Sequence, residues 1–289
     1  MPGIQQLIPF DGQTIGSPDS PVGFASGGIA PDVLIRQIAG GSPGWRSCTD
    51  PLGFISQGNV TTDLAAPGRF FGTLQNSGTA NAGSTQLGYD NEILSTTGGS
   101  TGNTNSWIGY DGGLPATYRL FVGTWSLYLP LQVVTTGLFD IWLGAFNKQV
   151  APGGTAPTDG VWINLLSAAG STTALLAGGS NSGNGTAATT GTLLSISAAT
   201  SIKLGYVWQV GVAVDFWAAL PATAGAFAAS DSQAMSFLGS IVFGQTKNAT
   251  NPLSTVLMRP HAAHIERGSS AHVLSCESMM YGVMGRALR

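Results

Sequence analysis

The sequence predicts an all-β protein, a jelly-roll-like β-sandwich with extended N- and C-terminal arms. Three observations predict it. Between Leu204 and Phe216 the bulky residues Leu204, Tyr206, Trp208, Val210, Val212, Val214 and Phe216 occupy alternate positions, with Gly205, Gln209, Gly211, Ala213 and Asp215 mostly small or polar between them. That is the period of a half-buried strand. Several other apolar runs are strand-length and bounded by Gly, Ser, Thr and Asn, the spacing of a sandwich or barrel. Between them lie no convincing helices, which disfavours a parallel sheet with its long crossovers.

The elements follow in order. Residues 1–115 read as an N-terminal arm with short strands and loops. Turn formers dominate it, as at Ser17-Pro18-Asp19-Ser20-Pro21, Gly40-Gly41-Ser42-Pro43-Gly44 and residues 97–103. A short helix is expected over 30–38, with Pro31 in its first turn, and short strands near 70–74 and 107–110. Residues 116–245 read as the sandwich domain. Its strands are expected at 118–131, 138–146, 161–166, 204–216 and 237–243. The run Gly178-Gly179-Ser180-Asn181-Ser182-Gly183-Asn184-Gly185-Thr186 reads as a flexible loop. Residues 246–289 read as a C-terminal arm or closing strands, with strands at 253–258 and 271–284, and are expected to cross to another subunit. The adaptable Met279, Met280 and Met284 suit such a contact.

Charge restricts the function classes. Only 9% of the 289 residues are charged, against about 25% in an average soluble protein. A hydrophobic fraction of 43% argues against a disordered chain. The net charge of −3 and the 11 Lys and Arg argue against nucleic-acid binding, which needs clustered cations. No apolar run reaches the roughly 20 residues of a membrane helix, and the opening Met1-Pro2-Gly3-Ile4 lacks a signal peptide's basic and apolar regions. Sparse charge leaves a surface that neighbours would cover, so self-assembly is expected. The alternative is a neutral surface solvated by hydroxyls and amides. Cys48 and Cys276 form no framework and are read as free thiols.

No residues are assigned to catalysis, to a cofactor or to a metal. His261-Ala262-Ala263-His264 with Glu266 is an H-x-x-H, but Pro260 and strand-like neighbours make a helical zinc site improbable. His272 and Cys276 lie four apart without a third orienting group. Asp140, Asp159 and Asp215 are the candidate carboxylates of a glycosidase, with turn or edge positions the plainer reading of Asp159 and Asp215. There is no nucleophile elbow, Walker loop or dinucleotide fingerprint. The sequons at Asn59, Asn184 and Asn248 are expected by chance in so Asn-, Ser- and Thr-rich a chain.

The stretch 139–166, FDIWLGAFNKQVAPGGTAPTDGVWINLL, has a pattern of its own. Pro157, Thr158, Asp159, Gly160, Val161 and Trp162 form a structural turn motif opening a strand: Pro157 fixes φ, Asp159 caps its turn and Gly160 accepts positive φ. This stretch, with an Asn/Gly/Thr-rich segment at 178–191 and a long strand at 204–216, resembles a segment of tailed-phage virion structural proteins with a jelly-roll or lectin-like sandwich. The likeness covers the middle third of the chain and departs from the pattern at Ser167-Ala168-Ala169-Gly170. It implies a capsid decoration (cement) or head-spike protein of the virion, assembled in the host cytoplasm. It also implies partners in the chain itself, most simply as a homotrimer, and in the major capsid protein. The alternatives are a tail-fibre component binding host glycans, through residues such as Trp107 or Tyr110, and a polysaccharide depolymerase.

Overall fold

The computed structural model describes residues 30, 31, 34, 45–49, 70–75, 78–82, 93–97, 104–110, 114–115, 120–129, 139–146, 156–167, 174–182, 187–197, 200–220, 234–243, 257–266 and 274–284. Almost all of them are strand. In chain order these are β1 (Trp45–Thr49), β2 (Phe70–Gln75), β3 (Gly78–Ala82), β4 (Ile93–Thr97), β5 (Thr104–Tyr110), β6 (Leu114–Pro115), β7 (Leu120–Leu129) and β8 (Phe139–Phe146). There follow β9 (Asp159–Ser167), β10 (Ala174–Ser182), β11 (Ala188–Ile196), β12 (Thr200–Gln209), β13 (Ala213–Ala219), β14 (Ser236–Val242), β15 (Leu257–Glu266) and β16 (Leu274–Met284).

They form two eight-stranded sheets. Sheet A runs β14-β13-β12-β7-β16-β4-β3, with β1 also on β16; sheet B runs β11-β10-β9-β8-β15-β5-β2, with β6 also on β15. The described ladders are antiparallel, as in β12 with β7 and β8 with β9. The expected all-β sandwich is therefore the fold. Strands from 1–115 pair into both sheets. β15 lies between β8 and β5, and β16 between β7 and β4, so the late strands join the early ones to those of the middle of the chain.

Alternation builds the interlayer core. Phe121, Trp125 and Leu127 of β7, Ile141, Leu143 and Ala145 of β8, and Val161, Ile163 and Leu165 of β9 all face it, as do Leu204, Tyr206 and Trp208 of β12. Two aromatic pairs bridge β7 and β12: Phe121 stacks on Trp208 at 4.8 Å and Trp125 on Tyr206 at 5.6 Å. Gly123 makes room between them, since a Cβ there would lie 2.7 Å from the Tyr206 ring and 2.8 Å from that of Trp125. Burial pushes the Tyr206 phenol well above its ordinary range, so this ring stays neutral.

Four expectations need correction. The C-terminal strands, expected to cross to another subunit, lie inside the sandwich of their own chain, β15 paired with β8 and β5 and β16 with β7 and β4. The strand expected at 204–216 is a hairpin of β12 and β13. Val212 N–H donates to the Gln209 carbonyl at 3.0 Å, and Gly211, at φ +82°, takes the left-handed position that a type II turn requires. Gly211→Ala is expected to cost about 1 kcal/mol, read by urea unfolding. The flexible loop expected at 178–186 is strand as far as Ser182, where β10 ends; residues 183–186 lie outside the described residues. Gly178 and Gly179 are buried there, and glycine is needed because a Cβ on either would enter a ring, that of Phe216 or of Trp162 respectively. Asp215 sits at neither a turn nor an edge. It lies within β13, paired on one side with Val207 and on the other with Ser240.

The outer face of sheet A is covered as well. Leu120, Val122, Val207, Trp217 and Met235 cluster there with Leu34. Pro31 and Leu34 are helical, and Leu34 N–H donates to the Ala30 carbonyl at 3.0 Å. Pro31 stands in the first turn, where its missing N–H costs nothing. It closes over Gly205, where a Cβ would lie 3.0 Å from its Cγ. The remainder of the helix expected over 30–38 lies outside the described residues.

Candidate functional site

The residues that could carry chemistry are dispersed. Asp140, on the outer face of sheet B beside Trp142, is the register partner of Leu166. Asp159 lies seven residues further along β9, about 23 Å away at strand rise. Asp215 is on the outer face of the other sheet, with the whole core between. The sequence candidates thus form no pair at the ~5–9.5 Å separation of glycosidase carboxylates. Positions 261 and 264 lie on strand β15, opposite Gly144 and Ile141 respectively. Positions three apart in a strand belong to opposite faces, so the helical H-x-x-H geometry is not made. Among the described residues no group of three His, Cys, Asp or Glu could hold a metal ion. His272 lies outside them. Cys48 pairs with Tyr281 and Cys276 with Leu127. Five strand residues, roughly 16 Å, separate positions 281 and 276, well beyond the ~7 Å limit for Cα atoms joined by a disulfide.

The turn motif is built into sheet B. The Pro157 carbonyl accepts from Asn181 Nδ2 at 3.2 Å. Gly160, at φ +126°, lies against the backbone of β8, where a Cβ would meet the Ala145 carbonyl oxygen and Phe146 Cα. Val161 then enters the core, and Trp162 turns to the outer face. There it meets Trp142 at 6.0 Å, the rings tilted by 56°. Gly179 lies flat beneath the Trp162 ring. Asn164 Nδ2 donates to the Ile141 carbonyl at 3.3 Å, tying β9 to β8.

Two ionisable side chains are buried on sheet A, and nothing in their local sequence marks them. Lys203 of β12 is 1% exposed, in register with Ser126 and Ala219. Asp215 is 3% exposed, and its burial raises its carboxyl to about 7.

What remains at the surface is the ends of the two sheets, β14 and β3 in sheet A and β11 and β2 in sheet B, of which β14 and β11 lie together. Among the described residues β14 pairs only with β13, and β11 only with β10. The two edges flank one side of the sandwich, close enough that a Cβ on Gly239 would lie 2.8 Å from Leu193 Cδ2. Neither strand contains a charged residue or a proline. Val242, near the end of β14, is the most exposed large apolar side chain described, at 74%, followed by Leu220 and Leu175. The sequence carries one signal of this uncharged edge, which the strand pattern alone does not reveal: from Ser232 to Phe243 no residue is charged.

Fold and surface together define the class: an all-β sandwich of two antiparallel sheets, with uncharged edges and no clustered catalytic groups among the described residues. A protein of unknown function from Shewanella oneidensis MR-1 is similar over 92% of this chain and 98% of its own, at 13% identity and a TM-score of 0.52. Weaker likeness extends to lectin-type sandwiches. The Lotus tetragonolobus seed lectin aligns with 78% of this chain and 97% of its own at 8% identity and a TM-score of 0.46. Arcelin-5, a lectin-like defense protein from Phaseolus vulgaris, aligns with 84% of this chain and 100% of its own at 8% identity and 0.43. No family model matches the sequence, and no curated protein matches it either.

Proposed function

We propose that the chain is a virion structural protein of a tailed phage, a head decoration or cement protein that stabilises the particle by packing between subunits. The observation that carries the assembly half is the pairing of scarce charge, 9% of residues, with two edge strands lacking both charge and proline. Natural monomers blunt their edges with such residues. The phage half rests on the resemblance of 139–166. The segments 178–191 and 204–216 lend it less, because they form hairpin strands rather than a loop and one long strand. Stabilisation by such a protein is a matter of area, about 25 cal/mol per Å² of apolar surface, repeated at every copy.

Immunogold labelling of purified particles tests the reading. Label is expected over the head surface. Stripping the protein is expected to lower the temperature at which the particles release their genome. Label at the tail tip would replace this reading by the receptor-binding one. New reducing ends after incubation with host polysaccharide would replace it by depolymerase activity. Particles carrying no label would overturn it.

A further inference from the structure

The edge of β14 that no described strand pairs with has one feature that selects its partner. In a twofold contact the same strand meets itself, so any charge on it faces a like charge from the other copy. β14, SFLGSIV, has none, and it is therefore compatible with its own image. Its ladder to β13 slips once, between Phe216 and Trp217, and is regular beyond it: Gly239, Ser240, Ile241 and Val242 meet Phe216, Asp215, Val214 and Ala213 in turn. Four consecutive residues thus present an ordered edge whose alternate N–H and C=O groups point away from β13. The edge strand beside it is poorer. β11 has Gly191 at φ +72°, and its ladder to β10 is interrupted at two places, the kind of irregularity that turns an edge away from pairing. Ser240 and Val242 are both exposed on β14.

We infer that two copies of this chain associate through antiparallel pairing of their β14 strands, joining two sheets A across a twofold axis. The inference rests on the assembly reading above, and it names the partner and the surface. The contact is independent of the threefold arrangement expected from the sequence; where a trimer exists, it joins copies of neighbouring trimers.

Sedimentation equilibrium of the purified full chain tests it, with Val242→Lys and Ser240→Lys as variants. Both side chains are exposed, so circular dichroism is expected to stay at wild-type values, as is the unfolding midpoint of Val242→Lys; that of Ser240→Lys is expected to rise at neutral pH, because its cation faces Asp215 across the ladder. Each variant places two cations across the axis and is expected to raise the dissociation constant about tenfold or more, halving the mass at micromolar concentration. A wild-type chain sedimenting as a monomer would overturn the inference, as would two folded variants keeping the wild-type mass. Labelling of particles reports separately on the function. A chain that dimerises through β14 but is missing from particles sinks the function and leaves the dimer standing; a monomer found on particles does the reverse.

Discussion

Between about pH 4 and pH 7 the protein is expected to lose stability steadily, and Asp215→Asn is expected to remove most of that loss. The carboxyl is buried beneath the outer face of sheet A and titrates near 7 instead of 3.8, because burial penalises the charged form. The described residues packed around it offer no cation close by. Val207 and Ser240 are its register partners, and Ala30, Pro31 and Leu34 bring no charge to this face. Lys203 stands opposite Ala219, four strand residues along, about 13 Å away. The sign follows from proton counting. Between about 4 and 7 the folded chain holds a proton that the unfolded chain has released, so stability falls as pH rises through this window. Above 7 both states are ionised and the full penalty stands, up to about 4 kcal/mol from the two values. Urea midpoints at half-unit intervals of pH measure it. A wild-type curve as flat as that of the Asn variant would show that Asp215 is not the group responsible.

Trp125→Ala is expected to cost about 3–5 kcal/mol and to approach outright unfolding. Trp125 is fully buried in β7, between β12 and β16, where it opposes Leu204 and Met279. Its ring stacks on Tyr206, so deletion leaves a cavity and an unsupported phenol. Trp125→Phe is expected to cost less than its lost volume implies. Among the described residues the indole N–H of Trp125 has no hydrogen-bond partner, and Phe removes that donor, relieving about 1–3 kcal/mol. Chemical denaturation of the three proteins reads both effects. A Phe variant as unstable as the Ala variant would mean that the indole N–H is satisfied.

The sandwich was legible because period two survives tertiary context. Phe121, Trp125 and Leu127 of β7, Ile141 and Leu143 of β8, Ile163 and Leu165 of β9, and Leu204, Tyr206 and Trp208 of β12 look like core in the sequence and are core in the structure. The same regularity hid the hairpin. Trp208 pairs with Val214 and Gln209 with Ala213, so paired residues have the same parity. The alternation therefore runs through the turn at Val210-Gly211-Val212 without a break in phase. Only Gly211 marked the turn, and glycines also occur inside strands here. Gly178 and Gly179 misled in the other direction. Their role is to let Phe216 and Trp162 approach from other strands, which local sequence does not contain. Asp215 looked exposed because alternate polar residues in a sheet usually face water. Leu34 and Pro31, some 180 residues earlier in the chain, help to cover that face, a long-range contact with no periodic signature. On the carboxylates and the histidines, the sequence offered candidates without positions, and pairing registers were needed to show that they do not converge.

The places of β15 and β16 have a consequence for biosynthesis. Each is inserted between an early strand and a middle one, so neither sheet can close until residues 257–284 have left the ribosome. A nascent chain stalled before that point would display the flanks of β7, β4, β8 and β5 as four open ladders. Contacts spanning such sequence distances form slowly, and during the delay the partly made chain is a target for chaperones and for its own siblings.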